Sequence, residues 1–120
     1  MAAKDELGRA GEERAASYLR DLGYTVVDRN WRAPQGELDI VAVRGGELCV
    51  VEVKTRTSER FGHPFEAIDA RKRRRLWALA LAWAVAHPES ARGRSIRLHA
   101  IGIVGATPAT GVLEHLTDLV

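Results

Sequence analysis

The pair Gly45-Gly46, set between two apolar runs, constrains this chain more than any other feature. Paired glycines supply the positive φ angles that a two-residue hairpin turn demands. Residues 37–43 and 48–54 are therefore predicted to be adjacent antiparallel strands. A two-residue turn sets Arg44 opposite Glu47, Asp39 opposite Glu52, and Glu37 opposite Lys54. Side chains alternate between faces along a strand. Glu37, Asp39, Glu52 and Lys54 then share one face, with Val41, Val43, Leu48 and Val50 behind them. The other face carries Leu38, Ile40, Ala42, Cys49, Val51 and Val53, is wholly apolar, and is expected to pack on a helix.

The remaining elements follow from periodicity. Residues 4–22 place Gly8, Gly11, Glu12, Ala15, Leu19 and Leu22 on one helical face, and Gly23 is a stop signal. Residues 24–31 read as a strand and RAPQG as a loop. After a turn-rich segment over 57–64, residues 65–86 read as a second long helix that ends near His87-Pro88. A polar loop at 89–95 leads to a strand at 96–104, and 112–117 reads as a short last strand or a tail. With 120 residues, the default is one domain spanning 1–120. The order helix, three strands, helix, strand predicts an α/β fold with helices packed on a small mixed sheet.

Composition narrows the setting. The chain is 46% hydrophobic and 28% charged, ordinary for a soluble globular protein. Cys49 is the sole cysteine, so no internal disulfide forms, and a reducing, cytoplasmic compartment is favoured. The charged, amphipathic N-terminus does not read as a signal peptide, so none is expected. The longest apolar run, at 76–86, is too short to span a bilayer, so no membrane partner is expected. Residues 50–97 carry 11 basic and 5 acidic side chains on a chain whose net charge is +2. A locally basic middle suggests a polyanion-facing surface.

Two readings of the charged hairpin face compete. In the first it is an exposed strand end, with Glu37–Lys54 as a surface ion pair worth about 0–1 kcal/mol. In the second it is a divalent metal site. Facing carboxylates suit Mg²⁺ or Mn²⁺, which prefer oxygen ligands. Lys54 beside them could orient a water or steady a phosphate, the arrangement a metal-dependent phosphodiesterase needs. Glu12 favours the second reading. It lies on the apolar face of the first helix among small residues, and glutamates are rarely buried unless paired.

These residues carry a resemblance. G-x-x-G-E-x-x-A-x-x-Y-L, then G-E-L-D-I-V-A, V-V-E-V-K-T-R and R-F-G-x-P-x-E-A-I resemble the YraN-like family of small bacterial proteins, over about residues 7–86. That family is placed in the PD-(D/E)xK nuclease superfamily, beside archaeal Holliday-junction resolvases and restriction endonucleases. The resemblance implies a restriction-endonuclease-like core. It also implies catalytic and metal-binding roles for Asp39, Glu52 and Glu12, the last matching the first-helix glutamate of the resolvase-like branch, and a catalytic role for Lys54. Glu37 belongs to the G-E-x-D pattern without an assigned role. His99 is a departure, since relatives often carry an acidic residue in that strand.

Outside the hairpin, Arg71, Lys72, Arg73, Arg74 and Arg75 open the exposed part of the second helix. Either they form a solvated face or they contact DNA phosphates together with Arg56 and Arg60. No base-reading signature stands out, so recognition of backbone and shape is expected. Residues 76–86 are apolar almost all round, which means deep burial or a homodimer interface. His63, His87, His99 and His115 lack ligand spacing and read as structural or surface residues, and Cys49 reads as core. The function expected is a metal-dependent endonuclease hydrolysing DNA, including branched or flapped DNA. The alternatives are a non-catalytic nucleic-acid-binding protein retaining the fold and a DNA-processing adaptor.

Overall fold

The computed structural model describes residues 3–119. Helix α1 (Ala3–Asp21) leads into strands β1 (Thr25–Ala33), β2 (Gly36–Arg44) and β3 (Glu47–Arg56). A 3₁₀ turn (Pro64–Ala67) precedes helix α2 (Ala70–Ala86) and the one-turn helix α3 (Pro88–Ala91). Strands β4 (Ser95–Val104) and β5 (Val112–Leu116) complete one sheet in the order β1-β2-β3-β4-β5. The architecture is the mixed α/β arrangement expected, and it is compatible with a restriction-endonuclease-like core. Neighbouring strands are antiparallel except β3 and β4. Parallel neighbours require a crossover, and α2 lies in it.

The sheet is covered on both faces. Leu38, Val41, Leu48 and Val50 pack with Leu76, Leu79 and Trp83 of α2. Ile40, Ala42, Cys49 and Val51 pack with Ala15, Ala16 and Leu19 of α1. The double cover explains why β2 and β3 are nearly continuous hydrophobic runs. Cys49 is fully buried, as expected, and burial pushes its thiol up to about 11.

Several boundaries differ from expectation. The second helix starts at Ala70, because Asp69 Oδ1 accepts a bond from the Lys72 backbone N–H at 2.9 Å and caps a new helix. Phe65 and Ile68 keep the apolar spacing because the 3₁₀ turn packs on the same sheet face as α2. β1 runs on to Ala33, so RAPQG shrinks to the turn at Pro34-Gln35. The 89–95 loop begins inside α3, where Pro88 fits the first helical turn. Leu22 lies beyond α1 and is exposed. Residues 76–86 are apolar all round, as expected, but are buried on one side only. Leu76, Leu79, Ala80 and Trp83 are buried, whereas Trp77, Leu81 and Val85 form an exposed stripe. Among the described residues, no helix is long and apolar enough to cross a membrane.

Candidate metal centre where β2 parts from β3

The hairpin register matches expectation from Arg44–Glu47 up to Ile40–Val51, and the ladder ends there. Beyond it the Asp39 side chain replaces a backbone acceptor: Val53 N–H donates to Asp39 Oδ2 at 2.8 Å. The parting of the strands overturns two expectations. Glu37 does not pair with Lys54; its Oε2 meets Arg32 Nε at 3.0 Å, its registered neighbour on β1. Leu38 does not share a face with Ile40; it packs on the α2 side while Ile40 packs on the α1 side. Strict alternation assumed a continuous ladder, and Asp39 sits where it fails.

Glu52 is only 3% exposed and, with His99, is one of two buried polar side chains among the described residues. Its Oε2 is held by Lys54 Nζ at 3.3 Å and by Lys72 Nζ at 3.2 Å. Lys72 therefore lies in the carboxylate cluster, apart from the arginines it adjoins in sequence. The cap at Asp69 fixes the turn of α2 that delivers it. Asp39 is pushed up to about 8, first by burial and then by the neighbouring Glu52 charge. Such upward shifts are what facing carboxylates produce when no cation lies between them.

Glu12 comes from the opposite side of the sheet. Its helix approaches β3 closely at Gly11, where any Cβ would collide with the Thr55 side chain. Burial raises the Glu12 carboxyl above its ordinary value, while Arg29 opposes the shift. Asn30, with its amide nitrogen turned toward the carboxylates, donates to Glu12 Oε1 at 2.9 Å and to Glu37 Oε1 at 3.3 Å. Asn30 is the one non-glycine residue with positive φ (54°) among those described. Asparagine tolerates that conformation better than most residues. Sequence reasoning overlooked it, since a lone Asn at a strand end carries no distinctive spacing.

A cation would fit this donor set by charge and hardness. Asp39, Glu52 and Glu12 offer oxygen ligands only, as Mg²⁺ or Mn²⁺ prefer, and the proton on Asp39 marks charge that a cation would relieve. They are not drawn tight: Glu59, His63 and Glu114 are the one trio among the described residues whose ligand atoms lie within 4.8 Å of one another. That trio is poorly suited to a metal. His63 Nδ1 accepts the Phe65 N–H at 3.1 Å, so the neutral ring carries its proton on Nε2, which faces Glu114 Oε1 at 2.9 Å. No lone pair on Nε2 is left for an ion.

Of the predicted phosphate contacts, Arg56, Arg60, Arg71, Arg74 and Arg75 are exposed. Arg73 is half-buried and donates to the Ile68 carbonyl at 3.1 Å. The other histidines serve packing: His87 stacks on Trp83, and His99 bonds His115.

Comparison with known proteins places the chain. Its sequence is 48% identical to a UPF0102 protein of Paenarthrobacter aurescens over 116 residues, which cover 97% of this chain and 94% of that one. It is 56% identical to one of Arthrobacter sp. over 87 residues (72% and 74%), and 42% identical to one of Leifsonia xyli over the full length of both. A sequence model of this family matches residues 11–103, a span that holds Glu12, Asp39, Glu52, Lys54 and Lys72 together. The chain belongs to the uncharacterised protein family UPF0102, the YraN family its motifs resemble.

Proposed function

We propose that this protein is a divalent-metal-dependent endonuclease of the PD-(D/E)xK type, hydrolysing phosphodiester bonds in DNA, branched or flapped DNA included. One observation carries the proposal: buried Glu52 and Asp39, whose carboxyl is raised by burial and by the Glu52 charge, meet beside Lys54 where two strands part. Asp39, Glu52 and Glu12 would hold Mg²⁺ or Mn²⁺. When bound, the ion would supply Lewis-acid polarisation of the phosphate. Asp39 must shed its proton for the site to load. Lys54, a cation and so no ligand while protonated, is placed to orient the attacking water or stabilise charge on the phosphate. The exposed arginines supply sequence-independent attraction to the backbone. The stripe Trp77, Leu81 and Val85 is the surface through which residues 76–86 would form a homodimer. A cytoplasmic setting fits the unpaired, buried Cys49.

A second reading has its own observation. Two lysines satisfy Glu52, and burial favours the neutral form of Asp39, so the cluster can be neutralised without any ion. A non-catalytic nucleic-acid-binding protein, or a DNA-processing adaptor using the apolar stripe, would look the same. The deciding assay incubates linear, flapped, single-stranded and four-way DNA with the protein, with and without Mg²⁺ or Mn²⁺. Metal-dependent cleavage that disappears in Asp39→Ala and Glu52→Ala supports the nuclease. Binding without cleavage under every condition supports the second reading.

A further inference from the structure

Phe61 is 94% exposed, the most exposed large hydrophobic side chain among those described. Isolated apolar residues on a surface are common, but they usually lie against their neighbours. Here a whole ring stands free, and three features around it point to a ligand. First, the Arg60 guanidinium carbon lies 5.6 Å from the ring centroid, so a cation and a π face are presented together. Second, an open cavity of about 350 Å³ adjoins the ring, lined by Arg56, Ser58 and His63 among others. Third, the turn is anchored on both sides. Gly62 N–H donates to the Glu59 carbonyl at 2.9 Å, and Gly62 holds a φ of 108°, which a side chain would strain. Immediately afterwards His63 caps the 3₁₀ turn, and Pro64 is buried. Before it, the chain leaves β3 directly after Lys54 and Arg56.

We propose that Phe61 and Arg60 form a stacking platform for an unpaired nucleobase, which selects DNA with exposed bases over intact duplex. This rests on the nucleic-acid reading above and names the substrate feature it favours. Aromatic rings beside basic residues bind single strands because every base has a π face while the cations take the phosphates. In a perfect duplex the bases are already stacked on each other, so the ring gains nothing. A protein-docking role fits less well, because Thr57, Ser58, Glu59 and Arg60 give the ring no apolar surround.

The test measures binding in EDTA, so nothing is cut and catalysis is irrelevant. Wild type, Phe61→Ala, Phe61→Leu and Phe61→Trp are titrated against a labelled single strand, a flapped duplex and a blunt duplex of equal length. The side chain makes few contacts, so every variant should fold. Losing one stacked base should weaken binding about 5- to 150-fold. The expected result is that loss for the Ala and Leu variants on single-stranded and flapped DNA. Blunt-duplex binding stays within about twofold, and the Trp variant retains wild-type affinity on all three. Equal affinity of wild type and Phe61→Ala for the single strand overturns the platform. A Leu variant as tight as wild type does too, since it would show plain apolar contact, as in protein docking. Wild type that binds none of the three retires the nucleic-acid reading as well, whereas tight binding unaffected at Phe61 retires the platform alone.

Discussion

Lys72 Nζ lies 3.2 Å from Glu52 Oε2, so a residue from the most basic run of the chain ends on its most buried carboxylate. The helix face decides this. Lys72 lies one turn before Leu76 on the side of α2 that faces the sheet, while Arg71 and Arg74 point outward. Lys72→Ala should therefore behave unlike any neighbouring arginine substitution. It leaves Glu52 with Lys54 alone and should cost about 1.5–3 kcal/mol of stability, the range for a bond to a charged group. The salt dependence of DNA binding should not change. Urea titration and binding at several salt concentrations read the two effects separately. Unchanged stability with a flattened salt slope would make Lys72 a phosphate contact.

The proton on Asp39 predicts how the metal-free protein responds to pH. Its folded value of about 8 lies above the ordinary 3.8. A carboxyl raised on folding contributes stability that is fully present below about 4 and lost as pH rises through about 8. Between those limits Asp39 should make the protein steadily less stable with rising pH. Asp39→Asn keeps an acceptor for the Val53 N–H but cannot titrate, so its stability should be flatter over the same window. A divalent ion should bind more tightly as pH rises, with release of a proton. Denaturation midpoints across pH 5–9, with and without Mg²⁺, check both. Parallel profiles for wild type and Asp39→Asn would remove the proton from Asp39.

On the α1 side, a chain of polar rings with buried His99 at its end has the opposite sign. Tyr18 Oη lies 3.0 Å from His115 Nδ1, and His115 Nε2 lies 2.9 Å from His99 Nδ1. Burial first, and the His115 charge second, lower His99 from 6.5 to about 4. Unfolding lets His99 take up a proton below about 6.5, so stability is lost as pH falls from there toward about 4. At 1.36 kcal/mol per unit the full loss is about 3 kcal/mol. His99→Gln should blunt this acid limb. Far-UV circular dichroism melts from pH 7 to pH 4 test it, and an identical acid limb in the variant would place the sensitivity elsewhere.

The hairpin was legible because Gly45-Gly46 fixes its register, and that register carries Asp39 and Glu52 to the same end of the sheet. Glu12 was legible because a glutamate among small residues on an apolar face needs a partner. What escaped depends on the break in the ladder. No residue pattern announces that Asp39 will take the Val53 N–H, so Glu37 and Leu38 were assigned by an alternation that stops two residues too soon. The start of α2 was obscured because Phe65 and Ile68 mimic helical spacing from a 3₁₀ turn on the same face. Helical spacing puts Lys72 on the face of Leu76, Leu79 and Trp83, and the structure keeps it there; what the sequence does not show is that its partner is Glu52 and not a phosphate.

The exposed arginines of α2 are the phosphate contacts proposed above. Cations in the first turns of a helix oppose its macrodipole, so helix stability does not explain Arg71 and Arg74. Arg73 is committed to the Ile68 carbonyl and is left intact. If Arg71 and Arg74 each neutralise a phosphate, replacing both with Ala should flatten the slope of log affinity against log salt by about 2 on duplex DNA. The loss should be similar across unrelated sequences, because backbone contacts read no bases. Alanine is the better helix former, so α2 should persist. Hydrolysis at saturating substrate should fall less than affinity, since the carboxylate cluster is held by Lys54 and Lys72 and not by these arginines. Fluorescence anisotropy at four salt concentrations is enough, and equal slopes for the two proteins would leave Arg71 and Arg74 as a solvated face.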